Sequence, residues 1–294
     1  MKTGLTKVIR QHPASGALTL AAVLLIAANA QAQNLFVGNN QIPWTILEIT
    51  PGGVQTTFAT VEASEGLAFN SAGNLFVSGY DANSIYEFTS NAVESTFASG
   101  LNGPFGLAFD NLGNLYVANH NGADMIKITP SGAQSTFASG LNLPTGLAFD
   151  SNGDLFESDE GSGKIYEFTP GGVESTFASG LDSPWGLAFN STGNLFVADG
   201  SGNIYEFTTN GVRSTFASGF TRPNELAFNN AGDLFVANDD SDDIIEITPG
   251  GTQTTFASGL SNPVGLAFQV PEPSTWAMVS LGLSALLVSR RRKS

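Results

Sequence analysis

The sequence predicts an all-β chain, a six-bladed β-propeller of four-stranded antiparallel blades closed by overlap of its N- and C-terminal strands. Three observations predict it. A strand–turn–strand unit, GLAFNSTGNLFVAD at Gly186–Asp199, recurs at Gly66–Gly79, Gly106–Asn119, Gly146–Asp159 and Glu225–Asn238. Its Asn/Asp-Leu step falls at Asn34, Asn74, Asn114, Asp154, Asn194 and Asp233, a spacing of 40 residues with a final one of 39. A sixth copy is split, with NLFVGN at Asn34–Asn39 opening the repeat region and GLAF at Gly265–Phe268 ending it. A period near 40 with several strand-like runs is that of a propeller blade, and a divided copy is what ring closure requires.

Each unit supplies four strand candidates, here taken from Gly146–Gly180. Strand a is Gly146–Phe149 and strand b Leu155–Glu157, joined by Asp150-Ser151-Asn152-Gly153, whose glycine permits the positive φ of a short hairpin. Strand c is Lys164–Thr169, with Ile165 and Glu167 facing opposite to Tyr166 and Phe168, a half-buried alternation. Pro170-Gly171-Gly172 turns the chain into strand d, Val173–Ala178. Strand d is the most polar of the four, so it belongs on the rim with its hydroxyls solvated. Nothing in the unit has helical periodicity.

Composition narrows the function. The 294 residues carry 26 acids against 11 Lys and Arg, with no Cys. All acids except Glu272 lie between Asn34 and Val270, where the only bases are Lys127, Lys164, Arg213 and Arg222. Such a body repels a phosphate backbone, which argues against nucleic acid as a partner. Without Cys there are no disulfides and no thiolate chemistry.

The two ends read as addresses. Residues 1–32 have a basic start, an apolar run at Ala17–Ala28 and Ala30-Gln31-Ala32, the pattern of a secretory signal peptide cut by signal peptidase before Gln33. Residues 33–270 are then the propeller. Residues 271–294 hold Pro271-Glu272-Pro273, an apolar run at Thr275–Ser289 and the basic Arg290–Lys293, long enough for a short membrane helix. This order resembles the PEP-CTERM sorting signal of bacterial exported proteins. The resemblance implies transient anchoring by the C-terminal helix and cutting near Pro271–Pro273 by an exosortase-type protease. Delivery would be to the cell surface, outer membrane or extracellular matrix of a bacterium.

The GLAFxxxGNLFVA pattern is similar to NHL-type and TolB-like six-bladed propellers over Asn34–Phe268. Strand a lies against the channel, so the residue before each Gly-Leu-Ala-Phe run sits at the channel mouth: Glu65, Phe105, Thr145, Trp185, Asn224 and Val264. The b strands end on the same face, at Asn39, Gly79, Asn119, Asp159, Asp199 and Asn238, and nearby loops add His120, Glu160, Asp239, Asp240, Asp242 and Asp243, acids and amides of the kind a hard cation prefers. An Asn or Asp at a strand end commonly caps the next loop, which is the plain explanation of that column.

Symmetry is broken by Glu65, Asn224 and Glu225, the last standing where the other five copies have Gly. The channel-mouth binding candidates are Glu65, Thr145, Trp185, Asn224 and Glu225. Ser64-Glu65-Gly66 and Arg222-Pro223-Asn224 resemble pieces of the gluconolactonase family, which implies Glu65 and Asn224 as ligands to a divalent metal such as Ca²⁺. That family's Pro-Asp-Gly motif does not occur here, so no resident cofactor and no catalytic residue is assigned. The EFTPGG–ESTFASG rhythm also resembles streptogramin lyases, which use histidine as a base. Of the two histidines, His12 falls in the signal, and His120 sits in a polar loop where surface exposure is the expectation. The predicted function is an exported, surface- or matrix-delivered binding module whose channel face takes a glycan or exopolysaccharide, a peptide or another matrix component. A weak metal-dependent lactonase using Glu65 and Asn224 is the alternative, and a structural matrix protein is a third reading.

Overall fold

The computed structural model describes residues 33–269 apart from 41, 43 and 63. The expected signal peptide and the C-terminal sorting segment lie outside the described residues. Within them are six four-stranded antiparallel sheets. The inner strands are Ser64–Phe69, Pro104–Phe109, Pro144–Phe149, Pro184–Phe189, Pro223–Phe228 and Pro263–Phe268. Blade 1 takes Pro263–Phe268 as its inner strand and continues with Leu35–Asn39, Thr45–Ile49 and Gln55–Thr60. Blades 2 to 6 follow in chain order from Ser64–Phe69. The closing pairs are Leu35↔Phe268, Phe36↔Ala267 and Val37↔Leu266.

The strand limits differ slightly from the sequence reading. Inner strands begin two residues before the Gly-Leu-Ala-Phe run, mostly on a proline, which a strand accepts at its first position because no ladder donor is lost. In blade 4 the second strand runs on to Asp159, the third stops at Phe168 and the outer strand is Glu174–Ser179. The outer strand is exposed along its first half, as its Ser and Thr content requires.

Aromatic rings join the blades in six equivalent seams. The second-strand ring of one blade meets the outer-strand ring of that blade and the inner-strand ring of the next. The triads are Phe36/Phe58/Phe69, Phe76/Phe97/Phe109, Tyr116/Phe137/Phe149, Phe156/Phe177/Phe189, Phe196/Phe216/Phe228 and Phe235/Phe256/Phe268. Centroids are 4.9–5.2 Å apart and nearly perpendicular. Edge-to-face pairs of this kind add about 0.5–1.5 kcal/mol beyond area burial. The last triad ties blade 6 to the C-terminal strand.

Nearer the axis the inner strands pack too closely for side chains. A Cβ on Gly66, Gly106, Gly146 or Gly265 would lie 2.1–2.3 Å from a carbonyl oxygen of the next inner strand. This explains the glycine of the repeat and makes Glu225 an exception in need of its own account.

Candidate functional site at the channel mouth

Every inner strand carries a β-bulge at the mouth, for example between Pro184 and Leu187. The bulge frees the second residue of the strand from the ladder and re-aims its side chain. Glu65, Phe105, Thr145, Trp185, Asn224 and Val264 occupy this position. Among the described residues, the one before the inner strand adopts left-handed φ at Gly103, Leu143, Ser183, Arg222 and Asn262. A third ring follows the Asn/Asp column: Asn40, Tyr80, His120, Glu160, Gly200 and Asp239.

The Asn/Asp column itself caps loops. The backbone N–H groups of Ser261, Asn102, Asn142, Asp182 and Thr221 donate to Asn39, Asn119, Asp159, Asp199 and Asn238 at 2.5–2.9 Å. Those five side chains hold the entrance loops in place. Blade 2, with Gly79, lacks the bond.

Glu65, Trp185 and Asn224 line one pocket of about 280 Å³ together with Asn40, Phe105, Arg222, Asp239, Asn262 and Val264. Asn40 Nδ2 donates to Glu65 Oε1 at 2.9 Å, and Asn262 Nδ2 to Asp239 Oδ1 at 2.8 Å. Arg222 Nη1 lies 3.3 Å from Asp239 Oδ2 and 3.8 Å from Asp240 Oδ1. Its guanidinium also sits 5.4 Å from the Trp185 ring centre, a cation–π contact. Phe105 meets Trp185 edge-on at 5.5 Å. One side of the pocket is therefore aromatic and the other carboxyl and amide, with Arg222 between them.

Burial drives the electrostatics. It pushes the Glu65 carboxyl up to about 8, Asp239 adding to the effect while the Asn40 hydrogen bond and Arg222 oppose it. Asp239 is raised as well, chiefly by burial, against Asn262 and Arg222. Glu65 is thus largely neutral at pH 7, able both to donate and to accept a hydrogen bond.

Two expected site residues stand apart from the pocket. Thr145 is fully buried, its hydroxyl 3.0 Å from the Ser158 carbonyl oxygen and 3.1 Å from that of Pro184. Its hydroxyl serves the fold, donating to main-chain oxygens of its own blade and of the next one. Glu225 lies one residue further along the channel, its carboxyl against Gly186 and accepting the Leu226 N–H at 3.2 Å. Burial pushes it up to about 8.

Because the folded Glu225 pKa exceeds the unfolded one, its stabilising effect is complete below about pH 4.5 and is lost as pH rises through about 8. The melting temperature should fall from pH 5 to pH 9, and Glu225→Gln should flatten that decline. A melting temperature that climbs across this window would contradict the assignment.

His120 is mostly covered rather than surface-exposed. Its Nε2 is 3.2 Å from Glu160 Oε2, its Nδ1 is 3.4 Å from the Tyr80 hydroxyl, and its ring lies 5.7 Å from Phe105. Tyr80, His120 and Glu160 are successive members of the third ring, so neighbouring blades brace one another beside the aromatic side of the pocket.

A metal fits the donors poorly. Among the described residues no group of three or more His, Asp or Glu side chains is placed to hold one. Glu65 has one oxygen engaged by Asn40, whereas Ca²⁺ takes six to eight oxygen ligands. Asn40 and Asn262 were not singled out from sequence, Arg222 entered only within the Arg222-Pro223-Asn224 resemblance, and Asp239 only as a loop acid on the same face. The signal that finds them is column-by-column comparison of the repeats, since the third ring and the residue before each inner strand vary where the rest of the unit does not.

Comparison with known proteins agrees with this architecture. The family profile of the PEP-CTERM protein-sorting motif matches residues 269–293. No curated protein matches the chain in sequence. A chain of the nidogen/laminin complex superposes with a TM-score of 0.74 at 18% identity, covering 82% of this chain and 99% of that one. A catalytically inactive virginiamycin B lyase from Staphylococcus aureus, solved with quinupristin, gives 0.63 at 16% identity over 82% of this chain and 93% of its own. A putative gluconolactonase gives 0.61 at 18% identity over 71% and 85%. At these identities the likeness establishes the fold alone. The chain therefore joins a six-bladed β-propeller to a PEP-CTERM protein-sorting motif, the mark of export and sorting to the cell surface.

Proposed function

We propose that this exported propeller is a binding module whose channel mouth recognises a glycan, such as a chain of the surrounding exopolysaccharide, without chemical turnover. The observation that carries this reading is the asymmetry of the repeats. Strands and turns recur almost unchanged, while the varied positions converge at one end of the channel. There they set aromatic rings beside carboxyl and amide groups, the combination that holds a sugar by stacking and by hydrogen bonds to its hydroxyls. The strong negative charge of the body favours a neutral or basic glycan over an anionic one. Signal peptidase and an exosortase-type protease are the processing partners this reading requires.

The test is a glycan array probed with the purified propeller. Binding should be seen, and Trp185→Ala should weaken it at least tenfold by removing a large apolar stacking face whose burial is worth about 1.5–3 kcal/mol. An array on which wild type and Trp185→Ala behave alike would dismiss the reading.

The alternative is a divalent-metal lactonase, favoured by the meeting of Glu65 and Asn224 in one pocket. Calorimetric titration with Ca²⁺ and Mg²⁺, with lactone turnover assayed alongside, separates the two. The binding-module reading expects no tight metal binding and no turnover.

A further inference from the structure

The fourth residue of the second strand differs among the blades: Gly38, Ser78, Ala118, Ser158, Ala198 and Ala237. The mouth residue of the following blade is Glu65, Phe105, Thr145, Trp185, Asn224 and Val264 in the same order. Serine occurs twice, and in both cases the next mouth residue is one of the two aromatic rings of the pocket. The coincidence has a physical basis.

Both serines are fully buried. Ser78 Oγ accepts the Gly66 N–H at 2.6 Å and donates to the Phe105 carbonyl oxygen at 2.7 Å. Ser158 Oγ accepts the Gly146 N–H at 2.8 Å and donates to the Trp185 carbonyl oxygen. Thr145 Oγ1, 3.0 Å from Ser158 Oγ, reaches the Pro184 carbonyl oxygen as well. The bulge leaves these backbone groups without ladder partners, and each serine hydroxyl links an inner-strand N–H of its own blade to a carbonyl oxygen of the next blade. In the remaining blades a methyl group or hydrogen replaces the hydroxyl, and no aromatic ring follows.

We infer that Ser78 and Ser158, the latter with Thr145, are positioning residues that fix Phe105 and Trp185 through their main chain, setting the aromatic side of the glycan site. The inference rests on the binding reading for its purpose, while its geometry can be tested without a ligand.

Ser158→Ala introduces the residue that three other blades already carry, so the variant should fold with a circular dichroism spectrum like that of wild type. Labelled with 5-fluorotryptophan, the full chain gives signals for Trp44, Trp185 and Trp276, assigned by single Trp→Phe changes. In Ser158→Ala the Trp185 signal should shift or broaden while that of Trp44 stays in place. Thr145→Val, nearly isosteric, should perturb the same signal and provides a second route should Ser158→Ala misfold. On the array, Ser158→Ala should weaken glycan binding by about tenfold, the effect of one buried hydrogen bond.

A Trp185 signal unchanged in both folded variants would overturn the inference. A Trp185 signal that moves in a protein binding no glycan would uphold the positioning role and overturn the binding reading instead.

Discussion

Deleting Pro263–Phe268 should abolish cooperative folding of the propeller. The strand contributes Val264, Leu266 and Ala267 to the buried interior and Phe268 to the sixth aromatic seam. Burial of a large apolar side chain is worth about 1.5–3 kcal/mol. The deletion also strips the cover from Leu35, Val37, Phe235 and Leu260, which pack in the same apolar cluster. It leaves Leu35–Asn39 as an unpaired edge facing the channel. These losses together rival the roughly 5–15 kcal/mol by which a domain is stable. Phe268→Ala isolates one part of the effect and should cost about 3–5 kcal/mol. Thermal unfolding followed by circular dichroism decides the matter, and a truncated protein melting within a few degrees of wild type would show that the ring does not depend on its seal.

Glu157→Val should stabilise the protein, an unusual direction for a core substitution. Glu157 is fully buried on the second strand of blade 4, where the other five blades have Val37, Val77, Val117, Val197 and Val236. Its cross-strand neighbours are Leu147 and Tyr166, within the layer formed by Tyr116, Ala118, Met125, Leu155 and Phe168. Neither carboxyl oxygen has a hydrogen-bond partner. Burial raises its pKa well above the carboxylate range, with Asp159 and Glu174 adding to the shift. Replacing an unsatisfied carboxyl by the apolar residue of the sister blades should gain about 2–4 kcal/mol at neutral pH. For a domain of this size that is a rise in melting temperature of roughly 5–12 °C. Because the folded pKa lies above the unfolded one, the advantage should shrink below about pH 4.3, where Glu157 is protonated in both states. A variant that melts below wild type at pH 7 would mean that Glu157 has a partner in solution.

The fold was legible because the chain repeats itself, and the halves of the split copy at Asn34–Asn39 and Gly265–Phe268 reveal the seal directly. The strand starts were less so. Pro144 and Pro184 look like breaks in a sequence, yet at the head of an inner strand they cost no hydrogen bond. Residues that line the pocket were legible only where identity alone breaks the pattern, as with Glu65, Trp185 and Asn224. Arg222 and Asn262 reach the pocket through a left-handed backbone that Leu143 and Ser183 share, so residue type carries no trace of it. Thr145 shows the converse, a polar residue at a mouth position whose hydroxyl is used up by its own blade and the adjoining one. Glu157 was in plain view as a glutamate in a column of valines, but only the packing shows that nothing answers its charge.

Gln269 donates its N–H to the Asn34 carbonyl oxygen at 3.0 Å, beside the point where Leu35 enters the sheet. Both passages of the polypeptide into and out of the ring thus lie on the underside, at the far end of the axis from Trp185 and Glu65. The chain therefore continues past Gln269, and arrives at Asn34, from the end of the axis opposite the pocket of Glu65 and Trp185.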